Sequence, residues 1–239
     1  MKQLVIILAL MLPNLVYSQV PNAQSLVTLH SVTSAERNAI TGATDGMMLY
    51  DTDEKTLYTY SSTDGWQKLQ VGPSTYVGSF VISASGTQTI TGLPFKPSQI
   101  TFTAHANVES MDLDSDNGSA NNATNISNAF GTMTGFARDD SGSFVQQAIY
   151  IGASGNSLND ISRYASSSHC IGVRYSNQNG DDLGKILSSI NNFNADGFTI
   201  DNTYVNGTVT VVNNGNPANN ISPTAVLNES LVVLYTAYQ

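Results

Sequence analysis

The sequence is poor in charge and nearly empty of cysteine. Asp, Glu, Lys and Arg make up 11% of it, and 9 Lys and Arg stand against 18 acids for a net charge of −9. So few cations leave no electrostatic footprint for a phosphate backbone, which excludes nucleic acid as the expected partner. The same sign opposes an anionic membrane surface. A single cysteine, Cys170, rules out an intrachain disulfide, so stability has to come from core packing and assembly. Cys170 sits in the strand-like run HCIGVRY, where a lone thiol is expected to behave as a small buried hydrophobe rather than a nucleophile. Neither a GxSxG elbow nor a phosphate-cradling GxxxxGK occurs, and His30, His105 and His169 lack metal-ligand spacing.

The apolar run Leu4–Leu12 is well short of the roughly 20 residues that span a bilayer. With Lys2 before it and the small residue Ser18 after it, residues 1–18 read as a secretory signal peptide whose removal leaves Gln19 first. No cysteine follows the run to accept a lipid. The expectation is a soluble protein with no membrane insertion after cleavage, secreted or held at the cell surface, with periplasmic residence left open. What remains of the 239 residues fits one all-β domain or one domain with a small appendage.

Residues 19–32 carry no pattern and read as an extended leader, and a connector module is expected over 33–70. Thr33 followed three residues later by Glu36 is a capping box, Ala35, Arg37 and Ala39 favour helix, and Gly42 is positioned as a stop. In MMLYDTDEKTLYTY two strand-like runs flank the polar turn 51–56, and Asp64-Gly65 turns the chain into WQKL. The result is a three-stranded meander. Alternation sets Met48, Tyr50, Tyr58 and Tyr60 on one face and Met47, Leu49 and Leu57 on the other. One short helix covers one face only, so Met48, Tyr50, Tyr58 and Tyr60 are the candidate oligomer-interface residues.

The string SAERNAI…GMMLYDTDEKTLYTYSSTDGWQKL resembles a short module of phage tail-fibre proteins and bacterial secreted surface proteins. The resemblance spans Ser34 to Leu69. It implies a stem or connector, commonly in a homotrimer, joined to a larger C-terminal domain, and it implies no catalytic activity.

Residues 71–75, with Gly72-Pro73-Ser74, read as a linker, and 76–239 as a β-sandwich or jelly-roll-like domain. QITFTAH alternates Ile100, Phe102 and Ala104 against Thr101, Thr103 and His105, the mark of a half-buried strand. LVVLYTAY is apolar on both faces and is expected to be central. DDLGKILSSIN, residues 181–191, is the one stretch with a helical reading. ITGLPFKPSQITFTA, NADGFTI and the terminal LYTAY are similar to β-sandwich tip domains of fibre proteins, which commonly bind glycans. No binding residue carries over from that similarity.

Asp112, Asp114 and Asp116 alternate as at the start of a calcium loop, where oxygen ligands recur at every second position. Gly118 comes one residue late and Ala123 stands where a bidentate Glu belongs, so the segment reads either as a Ca²⁺ site or as a solvated acidic loop. No other cofactor is expected. Glu109, Asp139, Asp140 and Glu229 are acids that a glycoside hydrolase would need in facing pairs, but they are scattered in the sequence. The reading is therefore a secreted, all-β, non-catalytic binding or structural protein, adhesin-like or fibre-tip-like, taking a surface glycan or surface protein as partner. A polysaccharide-acting enzyme and a purely structural subunit are the alternatives.

Overall fold

The computed structural model describes residues 27–69, 72–112, 126–154, 157–177, 179–208 and 222–239. The chain divides into two compact units, one ending at Val71 and one beginning at Gly72.

In the first unit, helix α1 (Ser34–Ala39) is followed by strands β2 (Met48–Asp51), β3 (Thr56–Ser61) and β4 (Gly65–Lys68). A two-residue strand, β1 (Ser31–Val32), pairs in parallel with β2 and extends the expected meander to four strands in the order β1-β2-β3-β4. The capping box forms as expected. Thr33 Oγ1 accepts from the Glu36 amide at 3.2 Å, and the Thr33 amide donates to Glu36 Oε2 at 2.7 Å. The helix ends earlier than Gly42 would place it, because Ile40 is already extended and its amide bonds back to the Arg37 carbonyl.

The second unit is a sandwich of two antiparallel sheets. Its strands are β5 (Thr75–Ile82), β6 (Gly86–Thr91), β7 (Gln99–His105), β8 (Ala129–Asp140), β9 (Ser143–Ser154), β10 (Ser157–Ser166), β11 (Ile171–Ser176), β12 (Asp182–Asn194), β13 (Gly197–Asn206) and β14 (Leu231–Tyr238). One sheet runs β10-β9-β8-β7-β14-β5 and the other β11-β12-β13-β6. The protein is all-β, as expected. Alternation in β7 buries Ile100, Phe102 and Ala104, and β14 is central, paired with β5 on one side and β7 on the other.

The helical reading of 181–191 is wrong, since that stretch lies in β12. Gly184 has φ +124°, outside the helical region, and Ile186, Ser188 and Ile190 alternate inward while β11 and β13 take up the backbone on both sides. Pairing overrides the local helix preference of KILSS.

The sheets meet through an aromatic cluster. Phe80 of β5, Phe102 of β7, Phe198 of β13 and Tyr235 of β14 pack edge-on or tilted, with ring centroids 5.2 to 6.5 Å apart. A polar ladder crosses the same interior. Ser188 Oγ donates to Asn202 Oδ1 at 2.7 Å, Asn202 Nδ2 to Gln88 Oε1 at 3.0 Å, and Gln88 Nε2 to the Val81 carbonyl at 3.0 Å. Each of these links is satisfied, which removes the penalty of burying it. Cys170 is buried as expected; burial pushes its thiol up to about 12.

Candidate functional site

The first unit is organised around Asp51. Its side chain is fully buried, yet it accepts from the backbone amides of Asp53 and Glu54 at 2.9 Å, from Ser34 Oγ at 2.9 Å and from Arg37 Nη1 at 2.8 Å. Burial pushes its carboxyl up, but the Glu54 amide, the Ser34 hydroxyl, the Asp53 amide and the Arg37 charge outweigh burial and hold it below the usual range. Arg37 lies with its guanidinium carbon 3.8 Å from the centroid of the Tyr58 ring and reaches Glu54 Oε1 at 3.2 Å. Tyr58 OH donates to Glu54 Oε2 at 2.7 Å, and Lys68 Nζ lies 3.3 Å from the same oxygen. The Tyr58 bond is the largest influence holding the Glu54 carboxyl low. The helix is thereby fastened to the turn between β2 and β3. Nothing in the sequence singles out Arg37 beyond its being a cation close to a DTDE turn.

The faces of the meander differ from the expected assignment. Asp51 pairs with Thr56, so odd-numbered residues of β2 meet even-numbered residues of β3. Leu49 stands opposite Tyr58 and Tyr60 opposite Trp66, and with Val32 they fill the face that holds the small core. Tyr58, at 6% exposure, and Tyr60, stacked edge-on against Trp66 at 5.2 Å, therefore do not share a face with Met48 and Tyr50. Alternation within each strand was legible, but the phase between strands was set by the four-residue turn. The other face carries Met48, Tyr50, Leu57 and Thr59. On it Met48 is 43% exposed, and Tyr50 and Leu57 are half-buried. Of the four interface candidates, this face holds Met48 and Tyr50.

The other candidates separate. Asp112 is exposed at the edge of a described segment, and Asp114 and Asp116 lie outside the described residues. Among the described residues no three His, Cys, Asp or Glu side chains are grouped to hold a metal ion. Asp139 accepts from the Gly142 amide at 2.6 Å and Asp140 forms a two-pronged pair with Arg138 at 2.9 Å, so both serve the β8–β9 turn. Glu109 and Glu229, far apart in sequence, are brought together. Burial, then the hydrogen bond to Glu109 and that group's charge, push the Glu229 carboxyl up to about 8.

Among the described residues, the first unit thus buries one face of its sheet around Leu49 and Tyr58 and leaves Met48 exposed and Tyr50 and Leu57 half-buried on the other. A family model described as a phage tail like trimerisation region matches residues 16–87. The chain thus carries a region similar to the trimerisation regions of tail-fibre-like proteins, in keeping with a structural, fibre-like protein and with homo-oligomerisation. Comparison with curated proteins and with solved structures found no match.

Proposed function

We propose that the chain is a trimeric, fibre-like subunit exported from the cell, with the first unit as stem and the sandwich as the domain it presents. The observation that carries this reading is the coincidence of the trimerisation-like span with a unit whose Met48, Tyr50 and Leu57 face is covered by none of its described residues and leaves Met48 exposed. Three copies packed on that face bury an apolar surface that a soluble monomer rarely leaves open. The Leu4–Leu12 run supports export, and a location outside the cell or at its surface follows from it. Presentation of three sandwiches on one stem suits multivalent, non-catalytic binding, where linked weak sites give avidity; a surface glycan is the partner class this reading names.

Light scattering on the chain lacking residues 1–18 tests the stem, with three times the chain mass expected. A glycan array on the same material tests the presented domain. Trimers that bind no glycan reduce the reading to a structural subunit.

A further inference from the structure

The two outer faces of the sandwich are built from different residues. Outside the four-stranded sheet lie Arg174, Lys185, Asp201, Thr87 and Thr89, with Thr87 Oγ1 donating to Asp201 Oδ1 at 2.7 Å. Outside the six-stranded sheet, one row of cross-strand partners runs Ser79, Leu234, Thr103, Thr134, Ile149, Ala165 over all six strands without a charge. At its β8–β10 end, Phe130, Ile149, Ile151 and Ile161 are 47%, 65%, 56% and 45% exposed. They border two adjoining grooves of about 330 and 280 Å³, in whose linings Arg163 is the only charged side chain. Solvent-facing positions on a strand are ordinarily Thr, Ser or charged, as on the other sheet, and four neighbouring large apolar side chains mark a contact surface.

We infer that the outer face of the six-stranded sheet, centred on Ile149 and Ile151, is the surface through which the sandwiches of neighbouring copies pack. This rests on the trimeric-stem reading. A second copy is the occupant that three features select. The trimerisation-like match runs on to residue 87 and so takes in β5, the edge of this sheet opposite β10, whose Val77, 71% exposed, lies on the same outer face. Only residues 69–74 separate β4 from β5, so copies joined at the stem hold their sandwiches at an effective concentration on the order of millimolar. The chain carries a net charge of −9, so like copies repel through most of their surface, and a face without acids in its groove linings escapes that penalty.

The test adds one cysteine to the full chain, whose native Cys170 is buried and therefore expected to stay silent toward maleimide. Ile151→Cys reports on the proposed contact and Thr89→Cys on the opposite sheet. In a trimer by light scattering, Ile151→Cys is expected to label roughly tenfold more slowly than Thr89→Cys, as in an interface core that excludes water. Adding Tyr50→Lys to break the stem is expected to give a monomer in which the two rates converge. Equal rates in an intact trimer overturn the inference and leave the stem reading standing. Slow labelling that persists in the monomer also overturns it, by assigning the cover to the same chain. A parent chain that is itself monomeric removes the stem reading and this inference together.

Discussion

Leu49 lies directly across the hairpin from Tyr58, and both are buried in the small core, while Met48 and Tyr50, the chain neighbours of Leu49, belong to the opposite face. Folding and assembly of the stem therefore depend on different residues of one hairpin. Met48→Lys with Tyr50→Lys is expected to convert trimer to monomer without loss of the unit's strand signal. Tyr58→Ser removes a buried ring, and a loss of about 3 kcal/mol is expected for such a cavity. Sedimentation and circular dichroism on the two variants separate these outcomes, and a monomer from Tyr58→Ser with an intact unit would contradict the assignment of faces.

Arg37 is the cation that three acceptors of this unit share: the Asp51 and Glu54 carboxylates and the Tyr58 ring. Arg37→Met leaves a fully buried Asp51 without its counter-charge, and Lys in its place cannot both stack and bridge. A fall in the unit's melting temperature of roughly 5 °C or more is expected for either. Because the Asp51 and Glu54 carboxyls are both held low, their stabilisation is full above the ordinary carboxylate range and is lost as pH falls through their folded values. Acid melts should therefore show a steeper fall below about pH 4 in the parent than in Arg37→Met.

Much of this was written in local pattern. The capping box at Thr33 and Glu36, the alternation in Ile100–Phe102–Ala104 and the two-faced apolar character of β14 each depend on residues a few positions apart, and each appears in the structure. Relations between strands were not legible. The phase that puts Tyr58 with Leu49 depends on a turn length, and the strand state of 182–194 depends on neighbours at 171–176 and 197–206. Arg37 and the Glu109–Glu229 contact are tertiary, so no spacing announces them. The outer apolar face left one local trace, isoleucines at 149 and 151 alternating with the buried Tyr150 in a strand that faces solvent on that side.

The Glu109–Glu229 pair predicts a loss of stability toward alkaline pH. The folded Glu229 value, about 8, lies above its ordinary value of 4.5 because of burial and then the neighbouring carboxyl. A group raised on folding contributes stability that is full below the unfolded value and is lost as pH rises through the folded one, so the window runs from about 4.5 to 8. Glu229→Gln retains a hydrogen-bond donor to Glu109 but does not titrate. Its melting temperature is expected to match the parent near pH 5 and to exceed it by roughly 5 °C at pH 8.5. Parallel curves for the two proteins across that range would contradict the raised Glu229 value.

Gly135 gives the most sharply localised prediction. It lies in β8 where the strand passes the carbonyl of Cys170, and a Cβ placed there would stand 2.0 Å from that oxygen and 2.8 Å from the Gln147 carbonyl. Both obstacles are backbone, and the Cys170 amide is itself tied to the Ser188 carbonyl at 2.9 Å, so neither can step aside cheaply. Gly135→Ala is expected to cost about 2–3 kcal/mol through overpacking. Gly142, in the β8–β9 turn, is the control of opposite kind. Its φ of +94° disfavours a side chain, but a Cβ there meets nothing within 4 Å, so Gly142→Ala should cost only about 1 kcal/mol. The Cys170 thiol supplies a second readout, since burial holds it at about 12 and out of reach of reagents. If Gly135 marks the point where β8 clamps the Cys170 corner, Gly135→Ala should speed labelling of Cys170 under native conditions and Gly142→Ala should not. Equal labelling of the two variants would mean that the corner yields elsewhere.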